Sequence, residues 1–413
     1  MRLLHFVALG AAFWTLSACA SVDQGQRTVG ETSTDYASAA AMLDTESDKA
    51  EKYLQRSGAR IRDAALEAYV QGIASKSAGE FADEVNVYLL KAPVFNAFMM
   101  PNGTMGVNSG LLLRIESEDE LALVLGHEFG HYYEKHSLER HAARTNTNLA
   151  LNAVSLAAMG TWAATGTYVD TSIASTAIIA GYYSFNRKHE SEADRIGLQR
   201  SIETGYNAAN AIRLWENLEK EKKSSSIRAI RKRHSNIYDT HPTNAGRLEA
   251  LKNNAKVLGE IQRATPGQRT KYRARIRPNL MMWLNDEIEL RDAGATLNLL
   301  DRLDDLGEDK GTLLYARARV IDRALSNKRL KKDKITRHLM MGKSSSDVIE
   351  LLKEASTHSD APLLVHRELG DRLYKAGQYK DASSAFQRYL GLAPNAEDSQ
   401  LIKSLIIKMK GVS

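Results

Sequence analysis

Two histidines and a glutamate in the segment His127-Glu128-Phe129-Gly130-His131 form an H-E-x-x-H motif. On a helix, residues at i and i+4 project from one face, so His127 and His131 can hold one metal ion. Glu128 then lies close to the metal, where a carboxylate can act as a general base. This spacing is typical of zinc peptidases, although a helix with two surface histidines beside an acid would show the same letters.

The flanking residues predict that the motif lies on a buried helix. Ser117 can cap its N-terminus, Glu120 can complete a capping box, and the apolar run 121–125 follows. Gly126 and Gly130 lie before and within the motif, and a glycine inside a helix costs about 1 kcal/mol relative to alanine. The two glycines indicate that backbone or substrate approaches this helix closely.

A catalytic zinc site usually has three protein ligands and one open position. The extended H-E-x-x-H-x-x-G-x-x-H pattern is excluded, because Glu134 and Ser137 occupy its glycine and histidine positions. On a continued helix, His136 would lie about 140° round from His131 and point away. We interpret His136 and His141 as solvated groups or as groups that support the ligands.

The charged segment 186–197 contains a better candidate for the third ligand. Glu190 and Asp194 stand at i and i+4 and share one helical face, whereas Glu192 points elsewhere and is expected to face solvent. Alone, the segment is typical of a charged surface helix. Beside the H-E-x-x-H motif, it can supply a third ligand and a carboxylate that orients a ligating histidine.

These motifs, followed by Thr240-His241-Pro242 and Arg247, resemble zinc metallopeptidase family M48, the family of the CAAX prenyl protease and the bacterial proteases HtpX and BepA. Segments 96–103 and 107–112 resemble the strand and turn that precede the active-site helix in that family. The resemblance covers roughly residues 60–252. It implies one zinc ion per chain on His127, His131 and Glu190, with Glu128 as general base.

His241 and Arg247 have several open interpretations. Pro242 suits the first turn of a helix, and a helix N-terminus would keep the imidazole of His241 neutral. The resemblance allows His241 to donate to the oxyanion or to bind zinc as a latch, and a capping histidine is the alternative. Arg247 can pair with a carboxylate near the metal, contact the substrate backbone or lie on the surface.

The region before the motif helix predicts a strand pair. Residues 85–90 alternate as in a strand, and the apolar stretch 94–99 precedes the turn signal Pro101-Asn102-Gly103. An edge strand beside the cleft can bind an extended peptide through main-chain groups, and an ordinary structural hairpin is compatible with this role. The expected substrate-binding residues are Asn96, Ala97, Phe98, Met99 and Met100.

The N-terminus predicts export and lipidation. A basic start, a short apolar run and small residues are typical of a secretory signal, and Leu16-Ser17-Ala18-Cys19 resembles the bacterial lipobox. Cys19 is the only cysteine, which favours lipidation over a soluble secreted protein with a spare thiol. Inner-membrane retention signals typically carry an aspartate where this chain has Ala20, so the periplasmic face of the outer membrane is expected. Residues 20–38 are small and polar, as in a flexible tether.

Two further stretches bear on the architecture. Residues 145–169 carry no charge, but 11 of these 25 residues are Gly, Ser, Thr or Asn, so a buried or cleft-covering helical segment is expected rather than a membrane span. Residues 363–396 fit one tetratricopeptide repeat, and 281–306 and 313–355 resemble degenerate helical pairs of this kind. Such helices stack on their neighbours and can form a docking surface or a stabilising extension.

The net charge and the basic runs limit the kinds of binding partner that are expected. The 413 residues include 56 Lys and Arg against 50 Asp and Glu, for a formal net charge of +6. The basic runs at 231–233 and 328–334 are typical of solvated faces. If they bind a partner, anionic lipid head groups or acidic protein surfaces are expected rather than nucleic acid, because the protein is expected to be exported.

The sequence therefore predicts a mainly α protein. We expect a lipoprotein signal peptide (1–18), a lipid-anchored tether (19–40), a zincin-type metallopeptidase domain with a small β-sheet (41–262) and an α-helical tetratricopeptide-like repeat domain (263–413). The resemblance implies a periplasmic zinc endopeptidase that cleaves misfolded or misassembled envelope proteins by metal-activated water. An outer-membrane assembly partner is expected to bind the repeats. The alternative is a chaperone-like or adaptor protein with a latched or idle peptidase site.

Overall fold

The computed structural model describes residues 26–29, 38–141, 187–228, 263–328 and 330–410, with the single residues 230, 249 and 253. Its first elements are α1 (Ser38–Arg56), α2 (Ala64–Ala78), β1 (Asn86–Leu90), β2 (Ala97–Met99), β3 (Thr104–Asn108), α3 (Ser109–Arg114), α4 (Glu118–Tyr133) and α5 (His136–His141). Then follow α6 (Arg187–Glu203), α7 (Ala208–Ser224), α8 (Pro266–Glu289), α9 (Ala293–Asp304), α10 (Lys310–Ser326), α11 (Lys334–Leu339), α12 (Ser345–Ser356), α13 (Leu364–Lys375), α14 (Tyr379–Leu392) and α15 (Ser399–Lys410). The predicted mainly α fold with a small sheet and a helical C-terminal region is confirmed.

The three strands form one mixed sheet in the order β1-β3-β2. β1 runs parallel to β3, and β2 pairs antiparallel with β3 after the predicted turn, where Gly103 has a φ of +83°. Four of the five residues of β1 are buried, because helices cover both faces of the sheet. Leu54 of α1 packs on one face of the sheet, and the core that contains α2 and α4 covers the other.

Helix α4 lies in the middle of the main hydrophobic core. Phe129 packs against Phe81, with ring centroids 5.7 Å apart, and both side chains are almost fully buried. The same core continues into α8 and α9 through Tyr272, Trp283 and Leu299. Burial of such large apolar side chains is the main stabilising term in folding, so α8 and α9 stabilise the region that contains the H-E-x-x-H motif.

Buried ion pairs join the C-terminal helices to the residues just before α4. Arg114 of α3 bonds Glu221 of α7 and Glu287 of α8, and all three side chains are at most 3% exposed. Glu116 accepts hydrogen bonds from Arg263 at 2.9 and 3.1 Å. A charge inside a protein is tolerated when it is paired in this way, so the junction between α3, α7 and α8 is fixed by both charge and packing.

A second hydrophobic core lies between α10 and α15. The predicted repeat at 363–396 is a helix pair, α13 and α14, in which Phe386 packs over Gly370 so closely that an added Cβ at Gly370 would lie 2.5 Å from the ring. Assignment of this pair to the tetratricopeptide repeats stays a prediction, as do the domain boundaries.

The segment 26–29 contacts the end of the motif helix. The backbone N–H of Arg27 donates to the carbonyl of Tyr133 at 2.9 Å, and its guanidinium lies over the Tyr132 ring. Arg27 is 8% exposed, so this part of the predicted flexible tether is packed against the protein. In the described part of the chain, none of the helices combines the length and hydropathy needed to cross a lipid bilayer.

Candidate metal centre

The motif helix begins where the sequence predicts. The Ser117 side chain accepts a hydrogen bond from the N–H of Glu120 and caps α4. In a capping box, the Glu120 side chain would accept from the N–H of Ser117. It instead accepts from the N–H of Glu116, one residue earlier, at 2.6 Å. Burial, and then the charge of Glu116, raises the pKa of Glu120 to about 8.

Small residues let α6 approach α4 at backbone distance. A Cβ added to Gly130 would lie 2.9 Å from Cα of Ala193, and one added to Gly197 would lie 2.8 Å from the backbone nitrogen of His127. A Cβ on Gly126 would lie 3.2 Å from Cα of Gly197. The expectation of a close approach is confirmed, and the approaching group is the backbone of α6.

This close packing brings Glu190 of α6 to the two histidines of α4. Nε2 of His127 and Nε2 of His131 lie 3.1 Å apart. Nε2 of His127 lies 3.5 Å from Oε2 of Glu190, and Nε2 of His131 lies 3.5 Å from Oε1 of Glu190. The three residues are 6%, 1% and 1% exposed. Within the described ranges, they are the one group of His, Cys, Asp and Glu whose ligand atoms converge as a metal site requires.

The spacing of these atoms fits zinc. With metal–ligand distances of about 2.0–2.2 Å, the ligands of a tetrahedral zinc lie about 3.3 Å from each other. The separations of 3.1 and 3.5 Å are close to this edge length, with the two histidines facing different oxygens of Glu190. Two imidazole nitrogens and a carboxylate oxygen are also a donor set that zinc prefers.

Asp194 and Glu128 lie at the same site. An oxygen of Asp194 is 3.0 Å from Nδ1 of His127, so Nδ1 carries the proton and Nε2 keeps its lone pair toward the site. Glu128 follows His127 in the chain and is 2% exposed. Because Glu128 is buried, its carboxylate is shielded from bulk water and can exchange a proton with a reactant bound at the site.

His136 and Glu192 lie elsewhere than their helical positions predict. Of the two interpretations of His136, the solvated one is wrong and the one that supports the ligands is favoured: His136 is 1% exposed, and its Nδ1 lies 2.9 Å from Nδ1 of His131. Glu192 is about one-third exposed and lies 3.1 Å from Nε2 of His136. His136 does not point away from His131 because α4 ends at Tyr133, and Lys135 turns the chain with a φ of +53°.

The ring of His136 is neutral in this environment. Burial, and then the neighbouring His189 and His127, lower the pKa of His136 to about 3. Its ring stacks on that of His189 with centroids 4.2 Å apart. No glycine or proline marks the break at Glu134-Lys135, so the sequence carried no signal for this contact. His141 ends α5, and its side chain lies outside the described residues.

The predicted substrate strand lies beside the motif helix. β2 stands at an edge of the sheet, and its three residues, Ala97, Phe98 and Met99, are all buried. The flanking Asn96 and Met100 are also buried, and the carbonyl of Asn96 accepts from the N–H of Asn108. Any contact with a peptide would therefore use main-chain groups.

Several predicted residues and segments lie outside the described residues. They are Cys19, His241, Arg247 and the stretches 145–169 and 231–233. Their proposed roles therefore rest on the sequence.

Comparisons with known proteins agree with the site. A model of peptidase family M48 matches residues 60–255. The putative beta-barrel assembly-enhancing protease of Vibrio cholerae is 30% identical over 155 residues, which cover 36% of this chain and 32% of that protein. The beta-barrel assembly-enhancing protease of Escherichia coli K12 is 27% identical over 220 residues, which cover 50% and 42%.

A mitochondrial protein is also similar to this chain. The mitochondrial metalloendopeptidase OMA1 of Schizosaccharomyces pombe is 32% identical over 136 residues, which cover 32% of this chain and 37% of that protein. The matched part thus spans less than half the length of each of these three relatives. The match to the family model contains the H-E-x-x-H motif, Glu190 and Asp194, so residues 60–255 of this chain are identified as a peptidase M48 domain.

Proposed function

We propose that this protein is a zinc-dependent endopeptidase of the bacterial cell envelope, and that it cleaves misfolded or misassembled envelope proteins. The observation that carries the proposal is the convergence of His127, His131 and Glu190, with Glu128 next to His127 on α4. The three convergent residues would hold the metal. When bound there, zinc would supply Lewis-acid activation of a water and of a peptide carbonyl.

Side chains and main-chain groups of the protein carry out the other steps of the reaction. Glu128 accepts a proton from the attacking water and passes it to the departing amine nitrogen. Asp194 holds the ring of His127 through Nδ1. β2 aligns an extended peptide through main-chain hydrogen bonds, so the site tolerates many side chains. His241 and Arg247 are proposed, from sequence, to act on the oxyanion and on the carboxylates near the metal.

The envelope location and the partners are inferred from sequence and from relatives. The lipobox-like segment that ends at Cys19 supports an anchor on the periplasmic face of the outer membrane. Two relatives are named for enhancing beta-barrel assembly, which supports an outer-membrane assembly partner that binds the C-terminal helices. Substrates are proposed to be unfolded chains, because main-chain pairing requires an extended peptide.

The variant Glu128→Gln tests the proposal. Loss of a positioned general base typically costs about 10²–10⁴-fold in rate, so cleavage of casein, used as an unfolded substrate, should fall in this range while zinc content stays at one per chain. Glu118→Gln is a matched control, because Glu118 is exposed in the first turn of the same helix.

A complementation test in cells distinguishes an enzyme from an adaptor. If the protein acts as an enzyme, Glu128→Gln should reproduce the phenotype of a gene deletion. Full complementation by that variant would favour the chaperone-like or adaptor alternative. Purified wild-type protein that carries zinc but leaves casein intact would also contradict the proposal.

A further inference from the structure

A second chain of hydrogen-bonding groups reaches the metal centre through His131, whereas Asp194 contacts His127. Nδ1 of His131 lies 2.9 Å from Nδ1 of His136, and Nε2 of His136 lies 3.1 Å from Oε2 of Glu192. The His136 ring is held in place by burial and by stacking on His189. These contacts join a carboxylate of α6 to a ligand on α4 through one imidazole.

The contacts dictate where the protons lie. An ionised carboxylate only accepts hydrogen bonds, so Nε2 of His136 carries a proton and donates it to Glu192. A neutral imidazole has one N–H, which leaves a lone pair on Nδ1 of His136. The neighbouring Nδ1 of His131 must then be the donor, since two lone pairs at 2.9 Å would repel.

The opposite arrangement would disable the site. If Nδ1 of His131 were the acceptor, its single proton would lie on Nε2, the atom that faces Glu190. A protonated ring nitrogen cannot bind a metal. The observed geometry therefore gives His131 the tautomer that binds zinc, as the contact with Asp194 does for His127.

We propose that His136 and Glu192 are positioning residues that fix the tautomer and the ring plane of His131. This inference rests on the proposed function, because it assumes zinc at the site. The two ligating histidines are then oriented by two acids of α6, directly by Asp194 and through an imidazole by Glu192.

Substitutions at His136 in the full-length protein test the relay. His136→Phe fills the space without an acceptor for His131, and His136→Asn keeps an oxygen near the position of Nδ1. Loss of a group that orients a metal ligand typically weakens metal binding about 10–100-fold. We expect this loss in His136→Phe and its partial recovery in His136→Asn, measured by competition for zinc with a chromophoric chelator.

Substitutions on α6 test the other end of the relay. Glu192→Leu should weaken zinc binding and Glu192→Gln should do so less, because the glutamine oxygen still accepts from His136. Glu203→Gln is the matched control on the same helix, since Glu203 is exposed at its far end. Urea unfolding of each metal-free variant separates a lost orientation from a damaged fold.

A spectroscopic readout does not depend on activity or on metal. Long-range ¹H–¹⁵N NMR of the metal-free protein should show His131 protonated at Nδ1, and this signature should be lost in His136→Phe. Protonation of His131 at Nε2, or wild-type zinc affinity in a folded His136→Phe variant, would overturn the inference while leaving the peptidase proposal intact. A wild-type protein that binds no zinc would overturn both.

Discussion

The contact between α4 and α6 predicts that Gly197→Ala damages the metal centre although alanine favours a helix. The added Cβ would lie 2.8 Å from the backbone nitrogen of His127 and 3.0 Å from its Cα. Backbone atoms cannot rotate aside as a side chain can. The helices must separate by roughly half an ångström or more before these atoms reach ordinary contact distance.

The magnitude follows from two opposing effects. Replacing glycine inside a helix by alanine gains about 1 kcal/mol, whereas overpacking a close contact costs about 1–3 kcal/mol. We expect a net decrease of up to about 2 kcal/mol in the free energy of unfolding. Glu190 lies two turns before Gly197 on the same helix, so the separation also moves its carboxylate, and zinc binding should weaken about tenfold.

Gly72→Ala is the matched control. Gly72 lies inside α2, and nothing lies within 4 Å of an added Cβ there. This variant should gain about 1 kcal/mol and bind zinc as the wild type does. Urea unfolding of the metal-free protein and chelator competition measure both quantities. If Gly197→Ala is as stable as Gly72→Ala and binds zinc normally, the close approach does not position the third ligand.

Three further predictions concern the surroundings of the site. Arg114→Met should lower the unfolding free energy by about 3–5 kcal/mol, because it removes the cation that lies between two buried glutamates. The exposed pair of Lys353 and Glu350 should contribute less than about 1 kcal/mol in Lys353→Met, and equal losses in urea unfolding would contradict this. The raised pKa of Glu120, about 8, means that the folded state holds a proton which the unfolded state releases above its ordinary pKa. Stability should therefore fall as pH rises from about 4.5 to 8, and Glu120→Gln should flatten this part of the unfolding profile. A chain that ends at residue 262 loses Tyr272 and Trp283 from the main core and should not unfold cooperatively, whereas one that ends at 343 should still bind one zinc.

The site was largely predictable because its residues lie on regular helices. The i, i+4 spacing of His127 and His131, and of Glu190 and Asp194, is set by helix geometry alone. Ser117 marks the start of its helix by a local hydrogen bond that needs no tertiary context. These local rules do not specify which helices meet, and only the small residues at the crossing hinted at the approach of α6.

The remaining features depend on contacts that are distant in sequence. β1 alternates like a half-exposed strand, yet both of its faces are covered, because α1 and α2 close over the sheet. The sequence places a boundary at 262, whereas the hydrophobic core of α4 continues through α8 and α9. The position of His136 differs from that expected on a continued α4, because the helix ends at Tyr133 and the chain turns at Lys135 without a glycine.

Helix α6 supplies three acids that contact the histidines of the centre. Glu190 faces both histidines, Asp194 holds His127, and Glu192 is linked to His131 through His136. The i+2 position of Glu192 points away from the face shared by the other two acids, so Glu192 is linked to the site only through His136, which follows the turn at Lys135. The turn after Tyr133 therefore determines a contact of His131 that the H-E-x-x-H motif does not specify. A change in that turn should affect zinc binding through His131 while leaving the contact between Asp194 and His127 in place.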